Sequence, residues 1–230
     1  MSDELSIPHS FDGTVRLFPL PNVVLFPQVM LPLHIFEQRY QQMAGDALAG
    51  DHLITMVLLK PGVESASEDK PRLCSIGCLG RIVADQRLKN GRYNILLRGL
   101  SRVRILQELE QDKLYRSACV ELLSSTVVSD LEIKQAYREG LTRAVTTWLS
   151  GIGVGPDQLA MLLKSDLPLE ALGDLLSFAL PLSVEFKQEL LEELNAEKRL
   201  KQLIHFLDNN QPPKPTIFSG LKFPPEFSAN

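Results

Sequence analysis

Apolar positions along this chain change their period once, near residue 129. Before that point they alternate or gather into short apolar blocks, the mark of strands. Beyond it they recur every three to four residues, the mark of amphipathic helices. Residues 14–20 and 29–35 are β-branched and apolar and read as strands. They flank the proline-rich segment 19–27, whose prolines stop any continuous helix and favour extended backbone and turns. One helix interrupts this half. Phe36, Tyr40, Met43, Ala44 and Ala47 fall on a single helical face, and that helix is expected to stop near Gly50.

Residues 52–60 then predict a buried strand, and 61–72 a polar loop bounded by Pro61 and Pro71. Residues 79–88 and 92–99 predict two hairpin arms around Asn90-Gly91, because both central residues of a type I′ turn need positive φ. Val103 and Ile105 alternate with Arg102 and Arg104 on a following strand, and 115–123 adds another. Strands without alternating helices predict a folded-over sheet or small barrel, not βαβ units.

In the second half, Ser129-Asp130-Leu131-Glu132 has the spacing of a capping box. The helix it opens places Tyr137, Leu141, Ala144, Val145 and Trp148 on one face and ends at the glycine-rich 151–156. Residues 157–164 and 169–180 predict two more helices. Ser183 is placed to cap another, and Asn195 to cap a last one after a shift of the apolar face. The expected division is an N-terminal arm at 1–13, a β-rich part at 14–124, a helical part at 129–208 and a tail at 209–230 that carries five prolines.

Composition narrows the classes. The 230 residues carry 44% hydrophobic and 23% charged side chains, which suits a folded chain and argues against disorder throughout. Residues 53–59 form a seven-residue apolar run, against about 20 for a membrane span. Residues 1–10 lack the basic and apolar regions of a signal peptide. Cys74, Cys78 and Cys119 are an odd count without a repeating spacing, so no disulfide framework is expected. The expected location is the cytoplasm, with no membrane partner. The net charge of −4 argues against nucleic acid as the partner of the whole surface.

Catalytic and cofactor signatures do not assemble. No Gly-Lys dipeptide occurs, so there is no phosphate-cradling loop. Gly151-Ile152-Gly153 lacks the third glycine of a dinucleotide site and follows a helix. There is no Gly-x-Ser-x-Gly elbow and no zincin helix. Cys74 and Cys78 have a zinc-like spacing but no evident fourth ligand. The expectation is a non-catalytic chain with no metal and no cofactor.

Two stretches carry a family resemblance. The first is Leu17-Phe18-Pro19-Leu20-Pro21-Asn22-Val23-Val24-Leu25-Phe26-Pro27, continuing through Leu31-Pro32-Leu33-His34-Ile35-Phe36-Glu37 and Arg39-Tyr40. The second is Ile76-Gly77-Cys78-Leu79-Gly80-Arg81-Ile82 with Gly91-Arg92-Tyr93-Asn94-Ile95-Leu96-Leu97-Arg98-Gly99. Both resemble the N-terminal, substrate-binding domain of Lon proteases, and the resemblance covers about residues 14–208. It implies an α+β fold: a β-rich, PUA-like pseudo-barrel with one inserted helix, followed by a helical bundle. It also implies a recognition module that binds unfolded or extended polypeptide, or a partner protein, as an adaptor in proteolysis. The ATPase and protease modules of full-length Lon proteases have no counterpart here, so a stand-alone form is expected.

Phe18, Val24, Leu25, Phe26 and Leu33 read as core, and Pro19, Pro21, Pro27 and Pro32 as residues that set strand ends. Two surfaces are candidates for binding. Residues 81–104 hold seven basic side chains against Asp85 alone, and Arg98, Arg102 and Arg104 are its candidate contacts. Arg102 and Arg104 are expected on one strand face. RNA is the alternative partner for this basic hairpin, although Tyr93 is the lone aromatic there and base stacking is poorly supported. The tail offers Phe218, Phe223 and Phe227, a proline-spaced run suited to an apolar groove.

Overall fold

In a computed structural model, residues 6–60, 71–150, 163 and 165–212 are described. They form two compact units that divide after Ser124.

The first unit is built on six strands: β1 (Thr14–Leu20), β2 (Met30–Ile35), β3 (Leu53–Leu58), β4 (Ile76–Arg87), β5 (Tyr93–Leu109) and β6 (Ser117–Leu123), with α1 (Gln38–Leu48) between β2 and β3. The order is β2-β5-β4-β3-β1-β6, and β5 also pairs with β6, so five strands close into a ring and β2 is attached outside it. All pairs are antiparallel except β1 with β3. Closure hides the strand edges that an open sheet leaves unpaired. Val15, Leu17, Leu53, Val57, Leu79, Val103, Ala118 and Val120 form one buried cluster in this unit. Every residue of β3 is buried, as its unbroken apolar run requires.

A single 17-residue strand, β5, replaces the two strands expected across 92–105. One of its edges is held by β4 over most of its length, so β2 (against residues 93–98) and then β6 (against 102–109) share the other. Gly99 stands at the changeover. A Cβ there would lie 2.1 Å from the Phe26 carbonyl oxygen, so no larger residue lets the chain before β2 come so close. The hairpin also differs from the expected two-residue turn. Asn90 (φ 66°) and Gly91 (φ 75°) do take the left-handed conformation. Leu88, however, donates to Arg92 at 2.8 Å, so Lys89-Asn90-Gly91 form a three-residue loop.

Pro19 and Pro32 lie inside β1 and β2 rather than at their ends. Gly99 N donates to Val29 O at 2.9 Å, so odd-numbered residues of β2 turn their backbone polar groups toward β5. Pro32 therefore sits where no N–H is asked for by the ladder.

The second unit contains α2 (Leu131–Ser150), α3 (Leu169–Ala179), α4 (Val184–Glu192) and α5 (Ala196–Asn209). Leu141, Ala144, Val145 and Trp148 of α2 are buried, as their spacing requires. The cap of α2 is Asp130, not Ser129: its Oδ1 accepts from Glu132 N at 2.8 Å and Ile133 N at 3.0 Å. Ser183 Oγ accepts from Phe186 N at 3.2 Å and Asn195 Oδ1 from Lys198 N at 3.0 Å, so both expected caps are made. Asp174 and Arg199 form a buried pair at 3.0 Å between α3 and α5. Arg199 Nη1 also donates to Glu193 O at 2.6 Å. The helix expected at 157–164 falls, apart from residue 163, outside the described residues. The loop at 61–70 and the tail from residue 213 do so entirely.

Candidate functional site

Phe36 is where the sequence pattern and the structure part most usefully. Its spacing puts it on the buried face of α1, with Tyr40, Met43, Ala44 and Ala47. Those four are buried, but α1 begins only at Gln38 and Phe36 is 41% exposed. Gln41 Nε2 donates to Phe36 O at 2.7 Å, which fixes the backbone just ahead of the helix. The Phe36 side chain is left on the rim of an apolar hollow.

The hollow is lined by Phe18 and Leu20 of β1, Leu33, His34 and Ile35 of β2, and by Phe36, Glu37 and Tyr40, so its walls are mainly apolar. Tyr40 braces it from below. Its ring packs on Phe18 with centroids 4.4 Å apart, and its hydroxyl donates to Pro19 O at 3.3 Å. Burial raises the Tyr40 phenol above its usual range, so it stays a neutral donor. Arg39 lies over the same ring at 4.5 Å and pairs with Glu37 at 2.8 Å. His34 stacks beside Phe36, centroids 6.2 Å apart, and its Nδ1 is 2.7 Å from Asn94 Oδ1. A volume of about 50 Å³ suits the end of one aliphatic or aromatic side chain rather than a whole small molecule. Mainly apolar walls with one ion pair at the rim offer contact to an apolar side chain.

The basic candidates are dispersed by the fold. Arg102 is 3% exposed, its guanidinium 5.9 Å from the Phe26 ring centre. Arg104 is exposed and pairs with Glu121 at 2.6 Å. The expected common face is therefore not an accessible one for both: Arg102 is sealed where β5 passes under the Phe26 segment. Arg98 is half-buried and donates to Gln28. Phe218, Phe223 and Phe227 lie outside the described residues. Cys74 and Cys78 are buried and form no disulfide. Among the described residues, no group of three His, Cys, Asp or Glu side chains is placed to hold a metal ion. No helix among them is long and apolar enough to cross a membrane.

The sequence does not reveal the hollow, because its walls are the same apolar residues that read as core. A signal was there: Phe36 stands between the end of a strand and the helix, where the helical period need not apply.

A ring of five strands with a sixth attached to it, followed by helices, defines an α+β domain that carries an apolar hollow on its β-rich unit. The chain belongs to the family of the ATP-dependent protease La (LON) substrate-binding domain, whose family model matches residues 14–209. It is similar to the Lon protease of Dictyoglomus thermophilum, 28% identical over 204 residues, covering 89% of this chain and 25% of that protein. Lon protease 2 of Sorangium cellulosum is 27% identical, with 83% of this chain and 24% of that protein covered. The chain thus spans about a quarter of the length of these curated relatives. Among solved structures, the Lon N-terminal domain protein of Xanthomonas campestris shares the fold with TM-score 0.61 and 23% identity, over 84% of this chain and 98% of that one. The N-terminal domain of Mycobacterium avium complex Lon protease shares it with TM-score 0.64 and 17% identity, over 86% and 99%.

Proposed function

We propose that this chain is a non-catalytic recognition module that binds extended apolar polypeptide segments and serves as an adaptor in proteolysis. The observation that carries this reading is the exposed Phe36 on the rim of a braced apolar hollow. A large aromatic held half in water gains free energy when a partner covers it, by about 25 cal/mol for each Å² of apolar surface removed. Membership of a substrate-binding family supports the same reading. In use, one apolar side chain of an unfolded client enters the hollow and Phe36 closes over it. The client is held without being cut and is available to a separate protease. The seat is small, so affinity for any one segment is modest and release is fast, which suits a carrier.

A peptide array probed with the purified chain tests this. Peptides rich in Leu, Phe and Val are enriched over versions in which those residues are replaced by Ser. Equal retention of both sets contradicts the reading.

A further inference from the structure

The basic stretch from Arg81 to Arg104 separates into two groups. Arg81 donates to Ser6 O at 3.2 Å, Arg98 to Gln28, and Arg104 pairs with Glu121, while Arg102 is buried. Arg87, Lys89 and Arg92 are different. All three are exposed around the tip of the β4–β5 hairpin, and none forms an ion pair among the described residues. Residues 84–87 of the outgoing arm are exposed as well, with Asp85 as the acidic residue there.

We propose that this hairpin tip is a docking surface for a flexible, acidic polypeptide segment. Charge complementarity is the first argument. The chain as a whole is at −4, so an acidic partner is repelled by most of the surface and held only within about 8–10 Å of a local excess of cations. The tip is that excess. Geometry is the second. Arg87 stands directly opposite Tyr93 in the ladder, so their side chains share one face, and Arg92, the next residue, points to the other. Lys89 sits in the loop between. The cations therefore wrap the turn, and a segment that drapes over it meets all three. A flat protein surface meets only one of these faces at a time.

Single-stranded RNA is the competing anion, and the tip lacks a platform for it. Its aromatic residue, Tyr93, is half-buried and already covered by the Arg87 guanidinium, 5.9 Å from the ring centre. The tip adjoins the apolar hollow, because Tyr93 pairs with Ile35 in the ladder, but it selects acidic rather than apolar peptides, so either proposal can fail alone.

The test is a fluorescence anisotropy titration of the full chain with a labelled oligoglutamate peptide and, separately, an oligouridine of equal length. The peptide is expected to bind, more weakly as salt rises from about 50 to 200 mM. The triple variant Arg87→Gln, Lys89→Gln, Arg92→Gln is expected to bind at least about fivefold more weakly, and Arg104→Gln within about twofold of wild type. Lys89→Glu alone, at an exposed loop position, provides a second variant should the triple melt differently. Absence of peptide binding, unchanged affinity in both tip variants, or tighter binding of oligouridine than of peptide overturns the proposal.

Discussion

Three residues hold positions that only the folded chain explains. Gly99 lies where the Phe26 carbonyl leaves no room for a methyl group. Gly99→Ala is expected to cost at least about 1–3 kcal/mol, because backbone rather than a flexible side chain must move. Urea unfolding measures this directly. Lys187 is a second case. Burial pushes its amine down to about 8 while its Nζ donates to Phe178 O at 2.6 Å. Above that pH the folded state has released a proton that the unfolded state keeps until about 10.5, so stability rises with pH through this window. Compared with Lys187→Met, the wild type therefore gains up to about 3 kcal/mol between pH 7 and 10. Paired thermal melts across that range check it, and a constant difference contradicts it. Phe36 is the third, and the one whose role the helical period concealed. An apolar residue at the right spacing reads as core whether or not the helix reaches it. The buried partners Tyr40, Met43, Ala44 and Ala47 were legible because they lie inside the helix.

Elements were legible where one local rule decides them. The positive φ at Asn90 and Gly91 follows from the two residue types, and the caps at Ser183 and Asn195 from their side-chain oxygens. The length of β5 was not legible. Gly99 and the arginines beyond it look like a strand end, and only the handover of its edge from β2 to β6 makes it continuous. The Asp174–Arg199 pair was likewise hidden, because its members are 25 positions apart on helices whose apolar stripes gave no reason to bury a charge. Arg199→Met leaves Asp174 buried without its guanidinium and is expected to cost about 3–5 kcal/mol. Combining it with Asp174→Leu is expected to restore most of that loss. A double-mutant cycle by chemical denaturation measures the coupling. Additive losses mean the two side chains do not act as a pair.

For the whole molecule, the change of period near residue 129 marks a real change of architecture, and the ring of strands follows from pairings that no local pattern encodes. The basic residues show how much the fold decides. Seven cations in 24 positions read as one surface, and the structure commits four of them internally or to neighbours while leaving three at a hairpin tip. The apolar hollow arises the same way, from β1, β2 and the start of α1 brought together. The central claim is that this hollow, with Phe36 on its rim, holds extended apolar polypeptide. The most direct measurement is a titration of one labelled Leu- and Phe-rich peptide against the full chain and its Phe36→Ser variant, with thermal melts alongside. The account predicts binding at least about fivefold weaker in the variant, which still unfolds cooperatively with a modestly lowered melting temperature, because part of the Phe36 ring is buried against its neighbours. Equal affinity for the two proteins would contradict it.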